Sequence, residues 1–198
     1  MTFYIYDSFS REKKKFEPIN CDDIRIYACG PTVYSYAHIG NARMSVVTDL
    51  LVRVLKTIYK KVKFVSNITD IDDKIIEASR VSGKQIQDIT QKFHKIYNDD
   101  MESLGVNKPD LQPKATDHIN EMVEMIKSLV EKEFAYVVDK HVLFDVKKYK
   151  HYGKLSRRTK EEQIAGSRVE VASYKKNPED FILWKPSKND EPSWNSPW

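Results

Sequence analysis

Cysteine is scarce in this chain, with two residues, Cys21 and Cys29, among 198. That excludes the disulfide framework of small secreted domains. No Cys-x-x-Cys or His-x-x-x-His spacing appears either, so spacing alone reveals no metal centre. Long apolar runs are also missing, and none approaches the ~20 residues that a membrane span requires. The opening stretch, MTFYIYDSFSREKKK, puts its apolar residues ahead of its basic ones, the reverse of a secretory signal. A cytoplasmic location without membrane attachment is the expectation. Charge of one sign is lacking too: the formal balance is +4, too mild to argue for nucleic acid by itself. The local clusters Lys13–Lys15, Lys60-Lys61-Lys63, Lys147–Lys150 and Arg157-Arg158 read first as solvated surface. Internal repeats and low-complexity segments are absent.

What is present is an ordinary globular profile, 40% hydrophobic and 31% charged, long enough to bury a sizeable core as one domain or two small ones. Its organising stretch is YACGPTVYSYAHIGNAR, Tyr27 to Arg43. A β-prone run, Ile24–Ala28, arrives at Cys29-Gly30-Pro31, where a strand must stop because proline has no N–H for a ladder. After a tyrosine-rich turn and His38-Ile39-Gly40-Asn41, apolar residues recur at 47, 50, 51, 54, 55 and 58, the spacing of one helix face. The spacing predicts a helix from about Asn41 to Tyr59. A second strand, Val62–Ile68, follows the polar break Lys60-Lys61. Strand, helix and strand make a βαβ unit with a right-handed crossover. In such sheets nucleotides bind beyond the carboxyl ends of the strands. His38 and Asn41, at the start of the helix, are placed to meet phosphate oxygens together with free backbone N–H groups.

This stretch resembles the first signature, His-Ile-Gly-His, of the class I aminoacyl-tRNA synthetases. The flanking Tyr27-x-Cys29-Gly30-Pro31-Thr32-Val33-Tyr34 narrows the resemblance to their cysteinyl branch, with Asn41 in place of the last signature histidine. Further along, Asn67-Ile68-Thr69-Asp70-Ile71-Asp72-Asp73-Lys74, Tyr152-Gly153-Lys154-Leu155-Ser156, Asp180–Lys185 and Glu191–Trp198 are similar to the same branch. The resemblance implies ATP-dependent activation of L-cysteine to cysteinyl-adenylate, with Mg²⁺, and transfer to tRNA(Cys). It implies His38 and Asn41 as catalytic donors, Thr32, His38, Gly40 and Asn41 as the ATP site, and Cys29, Gly30 and Thr69 as the cysteine site. Cys29 becomes one ligand of a Zn²⁺ whose other ligands lie beyond this chain. A monomer is expected. The family's second signature, Lys-Met-Ser-Lys-Ser, is not found, so the chain reads as the N-terminal piece of a longer protein, inactive alone.

The remaining segments fill in the architecture. Residues 3–6 and the basic segment ending at Phe16 suggest a hairpin, with Asp7, Ser8 and Ser10 in the turn. Thr69 or Asp70 is a plausible N-cap for a helix over Ile75–Arg80. A longer apolar stripe from Ile86 to Leu104 ends at Gly105, with His94 beside it as packing or surface. Asn107–Pro113 reads as a proline-bounded loop, and Asp117 as the N-cap of a helix over Ile119–Val130. From Ala135 the texture changes to short β runs, at 136–138, 142–146 and 168–171. The fold class is therefore α/β, a Rossmann-like parallel nucleotide-binding sheet (residues 1–114) with an inserted α+β connective-peptide unit (115–198). Two other functions fit parts of this pattern. One is a cysteine:sugar-amine ligase, a relative lacking most of the insertion, against which Ala135–Lys185 argues. The other is a non-catalytic nucleotide- or RNA-binding fragment of the same fold, against which the intact His38–Asn41 signature argues.

Overall fold

The computed structural model describes residues 2–157 and 173–198. The expected strand at 168–171, and Arg158, lie outside the described residues. Two compact units form, Glu17–His118 and a second that combines Thr2–Phe16 with Ile119–Trp198. The N-terminal hairpin groups with the second unit.

In the first unit, β3 (Ile24–Ala28) and β4 (Val62–Ser66) are parallel neighbours, paired from Ile24 with Val62 through Ala28 with Ser66. The crossover is α1 (Ile39–Ile58), which starts two residues earlier than the apolar spacing indicated because His38 caps it. Its buried face differs from the one read off the sequence. Ser45, Asp49, Val52 and Leu55 point inward, while Val46, Val47 and Leu50 are exposed. Two polar side chains tolerate burial because each is partnered. Ser45 Oγ shares a 2.7 Å hydrogen bond with Tyr97 Oη. Asp49 accepts from Arg53 Nε at 2.6 Å and from the Asn107 backbone N–H at 3.3 Å.

The segment after β4 stays extended as far as Asp72, which caps α2 (Asp73–Ser82) in place of the expected Thr69 or Asp70. Those two are engaged elsewhere. The Thr69 N–H donates to Pro31 O, and the Asp70 carboxylate accepts from the Thr116 N–H and hydroxyl at 3.0 and 2.6 Å. Gly83, at φ +67°, closes α2, and α3 (Ile86–Ser103) carries Ile89, Tyr97 and Met101 into the core beside Leu55, Ile68 and Ile75. The expected loop at 107–113 has an ordered course. It runs parallel beside β4, with Ser66 N–H to Leu111 O, Ile68 N–H to Pro113 O and Ala115 N–H to Ile68 O. Pro109 and Pro113, having no N–H to give, keep it from becoming a regular strand. Asp117 falls inside a short 3₁₀ turn, Ala115–His118.

In the second unit, β1 (Tyr4–Asp7) and β2 (Glu12–Lys15) form the antiparallel hairpin. The Asp7 carboxylate closes its turn by accepting from the Phe9 and Ser10 N–H groups and the Ser10 hydroxyl. Helix α4 (Ile119–Glu131) leads into an antiparallel sheet of β5 (Ala135–Val138), β6 (His141–Phe144) and β7 (Phe181–Trp184). Ile126, Ala135 and Val142 form its core, packed by Leu129, Leu183, Trp184 and Trp198. Among the described residues, no helix is long and apolar enough to cross a membrane.

Candidate active site

The strand break at Gly30-Pro31 is where the first unit turns from architecture to chemistry. A Cβ on Gly30 would lie 1.5 Å from Asn67 O, so only glycine lets the ends of β3 and β4 approach this closely. Beyond the break pairing resumes: Thr32 bridges Thr69, and the Val33 N–H donates to Thr69 O. One side chain ties this junction together. Asn67 Oδ1 accepts from Tyr27 Oη at 2.9 Å and from the Gly30 N–H at 3.0 Å, while its Nδ2 donates to Thr69 Oγ1 at 3.1 Å. Asn67 was legible only as one polar residue in a run, and its organising role depends on a partner 37 residues upstream.

At the start of α1 the signature folds back on itself. His38 Nδ1 accepts from the Gly40 N–H at 3.1 Å, and Asn41 Oδ1 accepts from the His38 N–H at 3.1 Å. This reciprocal cap has a chemical consequence. With Nδ1 used as an acceptor, the neutral imidazole carries its proton on Nε2. With Oδ1 used as an acceptor, Asn41 has its amide N–H groups left to donate. A cap at the helix start thus leaves both side chains a group that can still donate. Gly40 serves this arrangement directly, because a Cβ there would meet the His38 ring at 2.9 Å.

A cavity of about 150 Å³ opens over the helix start, lined in part by Thr32, Tyr34, His38, Asn41, Lys74 and Tyr97. It brings together Thr32, His38 and Asn41. Gly40 is adjacent but does not line it. Gly30 and Thr69 sit at the strand junction, joined through Asn67, outside the lining. Cys29 is exposed just past the end of β3, also outside the lining. Its thiol is a soft donor of the type zinc prefers. Among the described residues no three His, Cys, Asp or Glu side chains gather to hold a metal ion, so Cys29 fits as one ligand and no more.

A parallel strand–helix–strand crossover with a polar cavity at the start of its helix defines a Rossmann-like α/β domain. Two solved structures share the fold. The Mycobacterium tuberculosis methionyl-tRNA synthetase in complex with methionyl-adenylate aligns with a TM-score of 0.51 at 14% identity, over 62% of this chain and 29% of that one. The Agrobacterium radiobacter K84 agnB2 LeuRS, in a ternary complex with tRNA and LeuAMS, aligns with a TM-score of 0.52 at 18% identity, over 67% and 18%. The chain belongs to the family described as tRNA synthetases class I (C) catalytic domain, which matches residues 15–198. Among curated relatives, a cysteine–tRNA ligase of Maricaulis maris is 56% identical over 98% of this chain and 42% of its own length. Another, from Pelagibacter ubique, is 52% identical over 98% of this chain and 44% of its own length. The chain therefore spans less than half the length of these relatives.

Proposed function

We propose that the complete gene product activates L-cysteine with ATP and transfers the cysteinyl group to tRNA(Cys), acting in the cytoplasm. The observation that carries this reading is the reciprocal cap of His38 and Asn41, which leaves each side chain a group able to donate and sets both residues in the wall of one cavity over a helix N-terminus. Activation is an in-line attack of a carboxylate on the α-phosphate, with pyrophosphate leaving. Its barrier is charge gathering on the phosphoryl oxygens, which fixed donors stabilise without a nucleophilic side chain. His38 and Asn41 are the catalytic residues of this reading, and Thr32 adds a hydroxyl at the same wall. Gly40 keeps the His38 ring in place. The strand junction is the amino-acid end. Gly30 allows the close approach, Thr69 is oriented by Asn67, and Cys29 supplies one zinc ligand. Zinc, when bound, would select a thiolate over a hydroxyl or methyl. The folded connective unit, with its three-stranded sheet, supports a tRNA-charging enzyme over a sugar-amine ligase.

The test is cysteine-dependent ATP–pyrophosphate exchange and tRNA charging by the complete gene product. Replacing His38 or Asn41 by Ala should slow exchange about a hundredfold, the loss of ~3 kcal/mol of transition-state stabilisation, with little change in the cysteine KM. Cys29→Ser should lower zinc content by elemental analysis and raise the cysteine requirement. Exchange within a few-fold of wild type in both donor variants would remove the catalytic assignment.

A further inference from the structure

The cavity over α1 has one charged group that the reading above leaves without a task. Among the described residues its lining contains hydroxyls, an imidazole, a carboxamide and the Lys74 ammonium, but no carboxylate. Lys74 is its single lysine or arginine. We propose that Lys74 is a further substrate-binding residue of this site and takes a phosphate oxygen of ATP. The inference rests on the proposed ATP site.

Three observations carry it. First, Asp70 and Asp72, two carboxylates of the same polar run, are engaged elsewhere. Asp70 is held by Thr116, and Asp72 Oδ1 accepts the backbone N–H of Lys74 itself. The ammonium instead lies 5.2 Å from the centre of the Tyr34 ring, a cation–π contact that keeps it at the cavity without neutralising it. Second, Lys74 occupies the first turn of α2, just after the Asp72 cap. A cation there opposes the helix dipole, where an acidic or neutral residue would favour the helix. The position costs stability and contributes a positive charge to the cavity. Third, His38 and Asn41, as neutral donors, stabilise developing charge but do not offset the standing charge of a triphosphate. A lysine at the same wall does.

The bland alternative is that Lys74 only packs on Tyr34. The two readings differ in sign. If Lys74 is structural, Lys74→Ala should lower the melting temperature. If it is held for phosphate, Lys74→Ala should melt at or slightly above wild type and bind ATP less tightly. In the complete gene product, equilibrium dialysis with ATP should show Kd raised about tenfold or more in Lys74→Ala, with Lys74→Arg retaining most of the affinity. Adenosine, which has no phosphate, should bind both alike. Unchanged ATP affinity in Lys74→Ala beside weakened binding in His38→Ala would overturn this inference and leave the site reading standing. Normal ATP binding with slowed tRNA charging would also overturn it, moving the contact to the RNA. Failure of the wild-type protein to bind ATP would sink both.

Discussion

The two units each contain a polar cluster, and they use it in opposite ways. In the second unit Asp180 is 1% exposed and its oxygens are fully spent. They accept from Tyr136 Oη, the Val146 N–H, and the Asn177 N–H and side-chain amide. Burial pushes the Tyr136 phenol up to about 12, the neighbouring carboxylate adding to the effect. The cluster is closed: every donor meets an acceptor inside the protein. In the first unit the cap of His38 and Asn41 satisfies the backbone and still has donors to spare, in a cavity whose described lining includes Lys74 and no carboxylate. Equal polarity thus yields a staple in one unit and, in the other, the site proposed above. What separates them is whether the donor and acceptor count balances.

Breaking the closed cluster should have the largest effect. Asp180→Ala strands the Tyr136 hydroxyl and the Val146 and Asn177 N–H groups, at a cost of ~4 kcal/mol, with Asp180→Asn intermediate. All three tryptophans, Trp184, Trp194 and Trp198, lie in the second unit, so urea unfolding followed by tryptophan fluorescence reports on it alone. A midpoint equal to wild type would refute the closed-cluster account. Next comes Gly30→Ala. Its Cβ would overlap Asn67 O, and relief by backbone movement should cost ~3 kcal/mol in the first unit. Circular dichroism should show the loss while tryptophan fluorescence stays native.

The smallest effect is a pH dependence. His94, on α3, has a shielded Nε2 with no hydrogen-bond partner among the described residues, and its pKa is lowered from the ordinary histidine value. Burial is the main cause and Lys114 adds to it, while Gln112 and Asp70 pull the other way. The unfolded chain therefore binds more protons in the window below 6.5, and stability falls as pH drops from about 7 through that window. His94→Gln should flatten the decline measured by denaturant unfolding at pH 7.5 and 5.5. An identical slope in the two proteins would clear His94 of the effect.

These contrasts also mark what the sequence could and could not convey. The parallel pair was legible because Ile24–Ala28 and Val62–Ser66 are dense in β-branched and aromatic residues and flank a helical period. The signature was legible because His38, Gly40 and Asn41 are local to one another. The inward face of α1 was not, since Ser45 and Asp49 are buried by virtue of partners about fifty residues away. The α2 cap was displaced for the same reason, Asp70 being claimed by Thr116. Lys74 escaped notice within a polar run that looked like capping. Hydrophobic periodicity records what leaves water, whereas the pairing of polar groups is settled only when distant segments meet.

The course of residues 109–114 beside β4 has a further consequence, for growth of the sheet. Exposed strand edges invite addition of another strand, and proteins guard them with proline and irregular backbone. On the β4 side this irregular segment already takes the Ser66 and Ile68 N–H groups and donates to Phe64 O, so that margin is covered. Among the described residues β3 pairs with β4 and no other strand, so its far edge carries no such guard. The two margins of this pair thus differ: the β4 margin is occupied by residues 110–115, whereas β3 is paired on one side among the described residues. A strand approaching from the β4 side would have to displace bonds already made to Phe64, Ser66 and Ile68.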